Sequence, residues 1–335
     1  MSRIIILAAF LALELQGSVQ AQERQLPFRP VATYSIVARD ANTGEMGVAV
    51  QSHWFSVGST VTWAQAGVGA VATQSFIEPA YGPLGLELMR TGRTAGQALQ
   101  ALVSTDEGEA VRQVGMVDAN GNVAAHTGSG AIIAAGHYTG DGYSVHANMM
   151  ESAEVWPAMA EAFETTEGDL AERLLAALDA AQAVGGDIRG KQSAAILVVP
   201  GESTGKPWAD KIFDLRVEDH PEPLLELRRL VRMQRAYNAM NAGDGYMTTG
   251  NVQEAVNSYE FAMELLPDEA TNGEAPFWVG VTLASVGDVE AALPYLRRAA
   301  DQDERWAELL RRLPAAELLP DDPDMMERLL SAMTM

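Results

Sequence analysis

Cysteine is absent from the 335 residues. That absence excludes disulfides, zinc–thiolate sites, a thiol nucleophile and a lipid-anchored N-terminal cysteine, so the fold rests on its own core. Basic residues are scarce: 23 Lys and Arg stand against 45 Asp and Glu, a net charge of −22. Such a chain suits neither nucleic acid nor an anionic membrane surface, since both call for cations against phosphates. Beyond the N-terminus no apolar run is long enough to span a bilayer. Walker, H-E-x-x-H and G-x-S-x-G motifs are missing as well. The five histidines, at 53, 126, 137, 146 and 220, show no metal-ligand spacing. Neither a metal nor a cofactor is expected.

What is present suffices for two domains, with 47% apolar residues. The start, "MSRIIILAAFLALELQGSVQAQ", has a basic Arg3, an apolar run from Ile4 to Leu13, and Val19-Gln20-Ala21 before Gln22. That layout predicts a secretory signal peptide over residues 1–21, cut after Ala21, and a periplasmic or secreted protein with no membrane attachment after cleavage. An uncleaved anchor is the alternative. Residues 22–32 read as an irregular leader.

From Thr33 the text alternates as strands do. Thr33–Asp40 and Glu45–Gln51 flank Asn42-Thr43-Gly44, a hairpin turn. Thr60–Gln65 and Ala70–Gln74 follow as strands. Tyr81–Met89 reads as a helix, and Thr94-Ala95-Gly96-Gln97 opens another with a capping box. Arg112–Asp118 and Asn122–Thr127 flank Asn120-Gly121, a strong hairpin signal, and Ala131–Ala135 and Tyr143–Asn148 read as two more strands. Helices over Ala153–Glu164 and Leu170–Val184, then strands Ser193–Val199 and Ile212–Val217, complete the region. The expected class is α+β: two largely antiparallel sheets face to face over 33–218, each backed by a helix pair, a four-layer αββα sandwich.

Residues 219–335 carry no strand signal. Gly250-Asn251-Val252-Gln253-Glu254-Ala255 recurs 37 residues on as Gly287-Asp288-Val289-Glu290-Ala291-Ala292, each followed by large and small residues at helix-crossing spacing. This predicts an all-α, tetratricopeptide-like domain that could hold a protein or peptide partner. Pro294 is awkward within the second copy.

Thr33 is the residue with the sharpest chemical reading. A threonine whose α-amine is free can use that amine as its own general base, while nearby donors hold the oxyanion. Its plain reading is a strand-starting threonine. Other polar residues sit at strand ends. Asp40 closes the first strand beside Arg39, as an ion pair or an orienting group. Ser52 and His53 follow the second. Gln74 is a candidate oxyanion donor, and His126 and Asn148 lie at the ends of later strands. The loop "GGDIRGKQ" brings Asp187, Arg189, Lys191 and Gln192 before Ser193. Lys191 is a candidate for lowering the nucleophile's pKa by its charge. Each also has an ordinary structural reading.

The stretches "TYSIVARDANTGEMGVAVQSHWFSVG", "WAQAGVGAVATQSFIEPAYGPLGLELM", "RQVGMVDANGNVAAHTG" and "GGDIRGKQSAAILVV" together resemble domain-of-unknown-function family 1028. That family is similar to N-terminal-nucleophile (Ntn) hydrolases in fold. The resemblance implies Thr33 as nucleophile, Asp40, Gln74, Asn148, Lys191 and Ser193 as catalytic candidates, and Ser52, His53, His126 and Asp187 at the substrate. The expected activity is hydrolysis of an amide bond in a small molecule or peptide, although the resemblance itself supplies no substrate. Two departures stand out. Family members have the threonine directly after the initiator methionine, whereas a second cut between Ala32 and Thr33 is needed here. Glu78 stands where asparagine is common, which puts an amide-donor role there in doubt. The competing expectation is a non-catalytic scaffold that works through its helical repeats. Self-association is left open.

Overall fold

A computed structural model describes residues 33–334; the expected signal peptide and leader lie outside the described residues. Strands β1 (Thr33–Arg39) and β2 (Met46–Ser52) form the expected hairpin, with Val37 opposite Val48. A single helical turn, α1 (Gly58–Val61), leads into β3 (Thr62–Gln65) and β4 (Gly69–Ser75). Helices α2 (Tyr81–Arg90) and α3 (Ala95–Val103) follow. The capping box forms: Gln97 N–H donates to the Thr94 hydroxyl, and Thr94 N–H donates to the Gln97 side chain. Next come β5 (Arg112–Asp118), β6 (Val123–Thr127), β7 (Gly136–Gly140) and β8 (Tyr143–Asn148). Gly121 takes φ +83° in the β5–β6 turn, where a side chain would strain the backbone. Helices α4 (Val155–Thr165) and α5 (Leu170–Ala183) precede the last two strands, β9 (Ser193–Val199) and β10 (Phe213–Val217).

The strands make two antiparallel sheets. One has six strands in the order β10-β9-β2-β1-β8-β7, the other four in the order β3-β4-β5-β6. Alternation decides what each face meets. Val37, Val48, Val50, Ala195 and Leu197 of the larger sheet point inward and pack with Ala70, Ala72 and Val117 of the smaller one. The opposite face of the larger sheet, with Tyr34, Ile36 and Ile196, is covered by α4 and α5 through Met159, Leu174 and Leu178. Val71, Val114 and Met116 on the outer face of the smaller sheet pack on α2 and α3. β9 lies second from the edge with both faces covered, which explains its continuous apolar text.

One expected strand is absent. Residues 131–135 form a loop, with Ile133 88% exposed, and the ladder is taken up by the polar Gly136–Gly140. β7 and β8 are joined by Asp141-Gly142, with Gly142 at φ +71°, so an Asp-Gly hairpin decides the register. The apolar run competed with that turn and lost.

Residues 218–222 connect β10 to the helical region. Helix α6 (Pro223–Thr248) contributes Leu224, Leu227 and Val231 to the core of the strand region and Ala236 and Met240 to the next core. Arg228 of α6 pairs with Glu172 at 2.8 Å and with Asp179, and Arg235 with Asp169 at 2.8 Å, all on or capping α5. The expected boundary at 218/219 falls in the short connection between β10 and α6, and α6 itself packs into both cores. Helices α7 (Val252–Leu265), α8 (Glu274–Ser285), α9 (Val289–Gln302), α10 (Arg305–Arg312) and α11 (Pro323–Met333) complete the described chain. Gly250 and Gly287, the matched residues of the repeat, take φ +75° and +86° before α7 and α9. Pro294 is accommodated inside α9.

Candidate active site

At one end of the sandwich the inner faces turn polar. In the larger sheet Thr33 stands opposite Asn148, and Ser52 opposite Ser193. Thr33 and Ser52 face each other across β1 and β2, with the Thr33 hydroxyl 3.4 Å from that of Ser52. In the smaller sheet Gln74, Gln113 and Thr127 form a matching row. The two rows meet where Gln74 Nε2 donates to the carbonyl of Thr33 at 3.3 Å. Thr33, Ser52, Gln74, Gln113 and Asn148 are all buried.

Gln113 sets the polarity of this network. Its Nε2 lies 3.1 Å from Gly136 O and 2.9 Å from Ala147 O, and backbone carbonyls can only accept. Its Oε1 must therefore face the site, where it accepts from Gln74 Nε2 at 2.7 Å and Asn148 Nδ2 at 3.0 Å. Both neighbouring amides are thereby turned with oxygens outward. Among the described residues no donor reaches Gln74 Oε1 or Asn148 Oδ1. Two buried, unsatisfied acceptors beside one threonine are costly and call for a donor there. The role expected of Gln74 changes as a result: its NH2 is committed to Thr33 O and Gln113, and its oxygen is what it presents.

One rung deeper, His146 lies opposite Ser35. Its Nδ1 is 3.3 Å from the Ser35 hydroxyl and its Nε2 2.8 Å from that of Ser144. Full burial, with His137 adding to it, pushes the His146 pKa down to about 3. The room for its ring comes from Gly115 in the facing sheet: a Cβ there would lie 1.9 Å from His146 Nε2. Gly115→Ala is expected to cost about 3 kcal/mol or more, because the ring is walled in by both sheets and cannot retreat. Urea unfolding checks this. His146 also fixes the sign of a pH effect. Its folded pKa lies below the unfolded value near 6.5, so its contribution is complete above about pH 6.5. It is lost at up to about 1.4 kcal/mol per pH unit on acidification toward pH 3. A His146→Gln variant is expected to lose less stability than the parent between pH 6.5 and 5, measured by urea unfolding.

The backbone around these residues is strained. Ser75, directly after Gln74, and Met149, directly after Asn148, hold φ at +69° and +57°. Each costs on the order of 1 kcal/mol and persists only where surroundings enforce it, as sites do. Beyond Ser52 a pocket of about 540 Å3 opens, lined by His53, Trp54, Phe55, Arg189 and Gln192. Asp187, buried, fixes that wall: it accepts the His53 amide at 2.9 Å and both the amide and guanidinium of Arg189.

The remaining expected residues separate from Thr33. Asp40 caps the far turn of the hairpin, accepting from Asn42 N at 2.8 Å and Thr43 N at 3.0 Å, about 20 Å of strand away. Burial raises its pKa, but those amides and Arg173 outweigh it and hold the carboxyl below its ordinary range. Lys191 is paired with Glu222 at the start of α6, so its charge is spent there. Ser193 donates to Trp54 O and accepts from Val57 N at 3.1 Å, which latches the loop after β2. His126 lies opposite Val114, on the helix-covered side of its sheet, with Nε2 2.9 Å from Glu109 O. Glu78 accepts from the Ala80 amide just before α2. Gln113 and Ser35 carry no signal in the sequence, and His146 reads there only as a histidine without ligand spacing, because their importance depends on which strands pair and which faces meet.

Residues 33–227 match the model of a family described as a family of unknown function, DUF1028. The chain belongs to this family. Within the DUF1028 region lie both sheets, Thr33 as its first residue, and every member of the polar rows. The crystal structure of a DUF1028 protein, SPO2555 from Silicibacter pomeroyi, is similar, with 32% sequence identity and a TM-score of 0.54. The likeness covers 60% of this chain and 88% of that one. No curated protein matches the chain.

Proposed function

We infer that this DUF1028 protein is an exported amide hydrolase of the N-terminal-nucleophile type, and that its paired sheets and outer helix pairs are that fold's αββα sandwich. The observation that carries the reading is the setting of Thr33. It begins a central strand, buried, with its hydroxyl beside Ser52 and two outward-turned amide oxygens, of Gln74 and Asn148, at its backbone.

Hydrolysis of the Ala32–Thr33 bond would turn the Thr33 nitrogen into an amine. That amine is the donor the two orphan acceptors lack, and their hydrogen bonds would aim its lone pair at the hydroxyl. The amine then takes the hydroxyl proton as Oγ1 bonds to the substrate carbonyl carbon. Collapse of the tetrahedral intermediate breaks the C–N bond, and the leaving amine takes the proton back from the Thr33 ammonium. An ester on Oγ1 remains. Water, deprotonated by the same amine, cleaves it to a carboxylic acid and restores the threonine. With Gln74 and Asn148 committed as acceptors, backbone amides become the oxyanion donors.

A β-lactone probe tests this reading. The expected result is an ester adduct of one probe mass on Thr33, located by peptide mass spectrometry. An unmodified Thr33, or an adduct elsewhere, contradicts it.

A second reading has its own observation. A groove of about 870 Å3 runs between α6 and α7 and the side of α5 and β10, lined by Asp169, Arg235, Tyr246 and Phe261 among others. In this reading the tetratricopeptide-like helices hold a peptide or protein partner and the sandwich is a scaffold. Phe261→Asp would then remove function while Thr33→Ala is silent.

A further inference from the structure

Four large apolar side chains are exposed around the polar site. Phe55 is 65% exposed, Ile188 62% and Ile133 88%, with Ile132 beside it at 38%. Exposed apolar residues scattered over a surface need no explanation, but these share one place. Each lies on a loop that leaves the sandwich at the end where Thr33, Ser52 and Asn148 stand. Backbone hydrogen bonds stitch the loops together. Met149 N donates to Ile132 O, Ile188 N donates to Met149 O, and the His53 amide reaches Asp187. The loops 132–133, 149, 187–192 and 53–55 are therefore joined in one arc, and a pocket lies along its 53–55 and 189–192 part.

The pocket inside that arc is mixed in chemistry. Trp54 and Phe55 supply aromatic wall, while His53, Gln192 and Arg189 supply polar edge. The Arg189 guanidinium is held against the Asp187 carboxylate, 2.9 Å between Nη2 and Oδ2, so that part of the wall is charge-balanced. A purely hydrocarbon chain would displace water from the polar edge and put no hydrogen-bonding group in its place, and a highly charged ligand would desolvate the apolar rim for no return. A peptide satisfies both: its backbone amides meet the polar edge and an apolar side chain lies on the rim.

We propose that the substrate is a short peptide or peptide-like amide whose residue next to the scissile bond carries a large apolar side chain, of leucine or phenylalanine size. That side chain sits against Phe55, Ile133 and Ile188. This specifies the substrate of the hydrolase inferred above and rests on that reading for turnover, but not for binding.

Binding and turnover are measured separately. Glycyl, alanyl, leucyl and phenylalanyl peptide amides are titrated into full-length Thr33→Ala protein by calorimetry, and hydrolysed by the parent. The phenylalanyl amide is expected to bind at least about tenfold more tightly than the glycyl one. Ile133→Ser with Ile188→Ser, both at exposed positions and therefore harmless to folding, is expected to remove most of that preference. An N-acyl amide of equal carbon count but no peptide groups is expected to bind at least fivefold more weakly than the phenylalanyl amide. Equal affinity across the peptide series, no binding at all, or preference for the plain acyl amide overturns the proposal. Selective binding without turnover by the parent supports it and counts against the hydrolase reading alone.

Discussion

Under the proposed hydrolase mechanism, Thr33→Ala is expected to abolish hydrolysis, a loss on the order of 10^4-fold or more in kcat, because it removes the proposed attacking atom. The fold is expected to survive. Among the described residues the substitution removes the 3.4 Å hydroxyl contact to Ser52, and it removes no large apolar volume, a cost of about 1 kcal/mol. Unchanged far-UV circular dichroism and a Tm within about 4 °C of the parent check that. Thr33→Ser keeps a hydroxyl in the same place and is expected to retain measurable turnover. A Thr33→Ala protein that turns over substrate at the parental rate would show that the chemistry lies elsewhere.

Gln113→Leu is expected to be the most destabilising change within the site. The leucine occupies a similar volume but strips partners from the carbonyls of Gly136 and Ala147, the Thr127 hydroxyl, and the amides of Gln74 and Asn148. Unpaired buried groups of this kind cost about 1–3 kcal/mol each before relaxation, so a net loss of about 3–5 kcal/mol is expected. Tm falls on the order of 10 °C. Gln113→Glu is no remedy, since it would bury a carboxylate oxygen against two backbone carbonyls. The loss should also reach the chemistry: with the Oε1 anchor gone, Gln74 and Asn148 are free to turn. Calorimetric unfolding and kcat on the same preparation check both parts. A Gln113→Leu protein of parental Tm would contradict the network.

Local chemistry made most of the fold legible. Asn120-Gly121 announced the β5–β6 hairpin, Thr94 and Gln97 the start of α3, and the apolar run at Ser193 a covered strand. Residues 131–135 read as a strand from their apolar run, but the Asp141-Gly142 turn places the ladder at Gly136–Gly140 instead. In the site, Thr33, Ser52, Gln74 and Asn148 came together because each ends a strand at the same rim of the sandwich. Asp40 ends a strand too, but at the opposite rim, and strand length alone carries it out of reach. His126 and Thr127 illustrate a finer limit. They are neighbours in sequence, yet alternation sends one to the helix side and the other to the inner row, and only the register with β5 says which. Gln113 and His146 carry no local mark at all. Their roles arise from carbonyls and a glycine on strands about 20 to 35 residues away. Lys191 reads as an activating charge in the sequence, but Glu222, the residue just before α6, pairs with it.

The proposed mechanism depends on one bond. Intact-mass measurement of the mature protein, together with sequencing of its N-terminus, asks whether the Ala32–Thr33 peptide is cut. A mature chain beginning Thr-Tyr-Ser-Ile, with the Thr33 amine free, is the predicted result. A mature chain that begins at Gln22 and is never trimmed further would leave Thr33 without its base and contradict the mechanism.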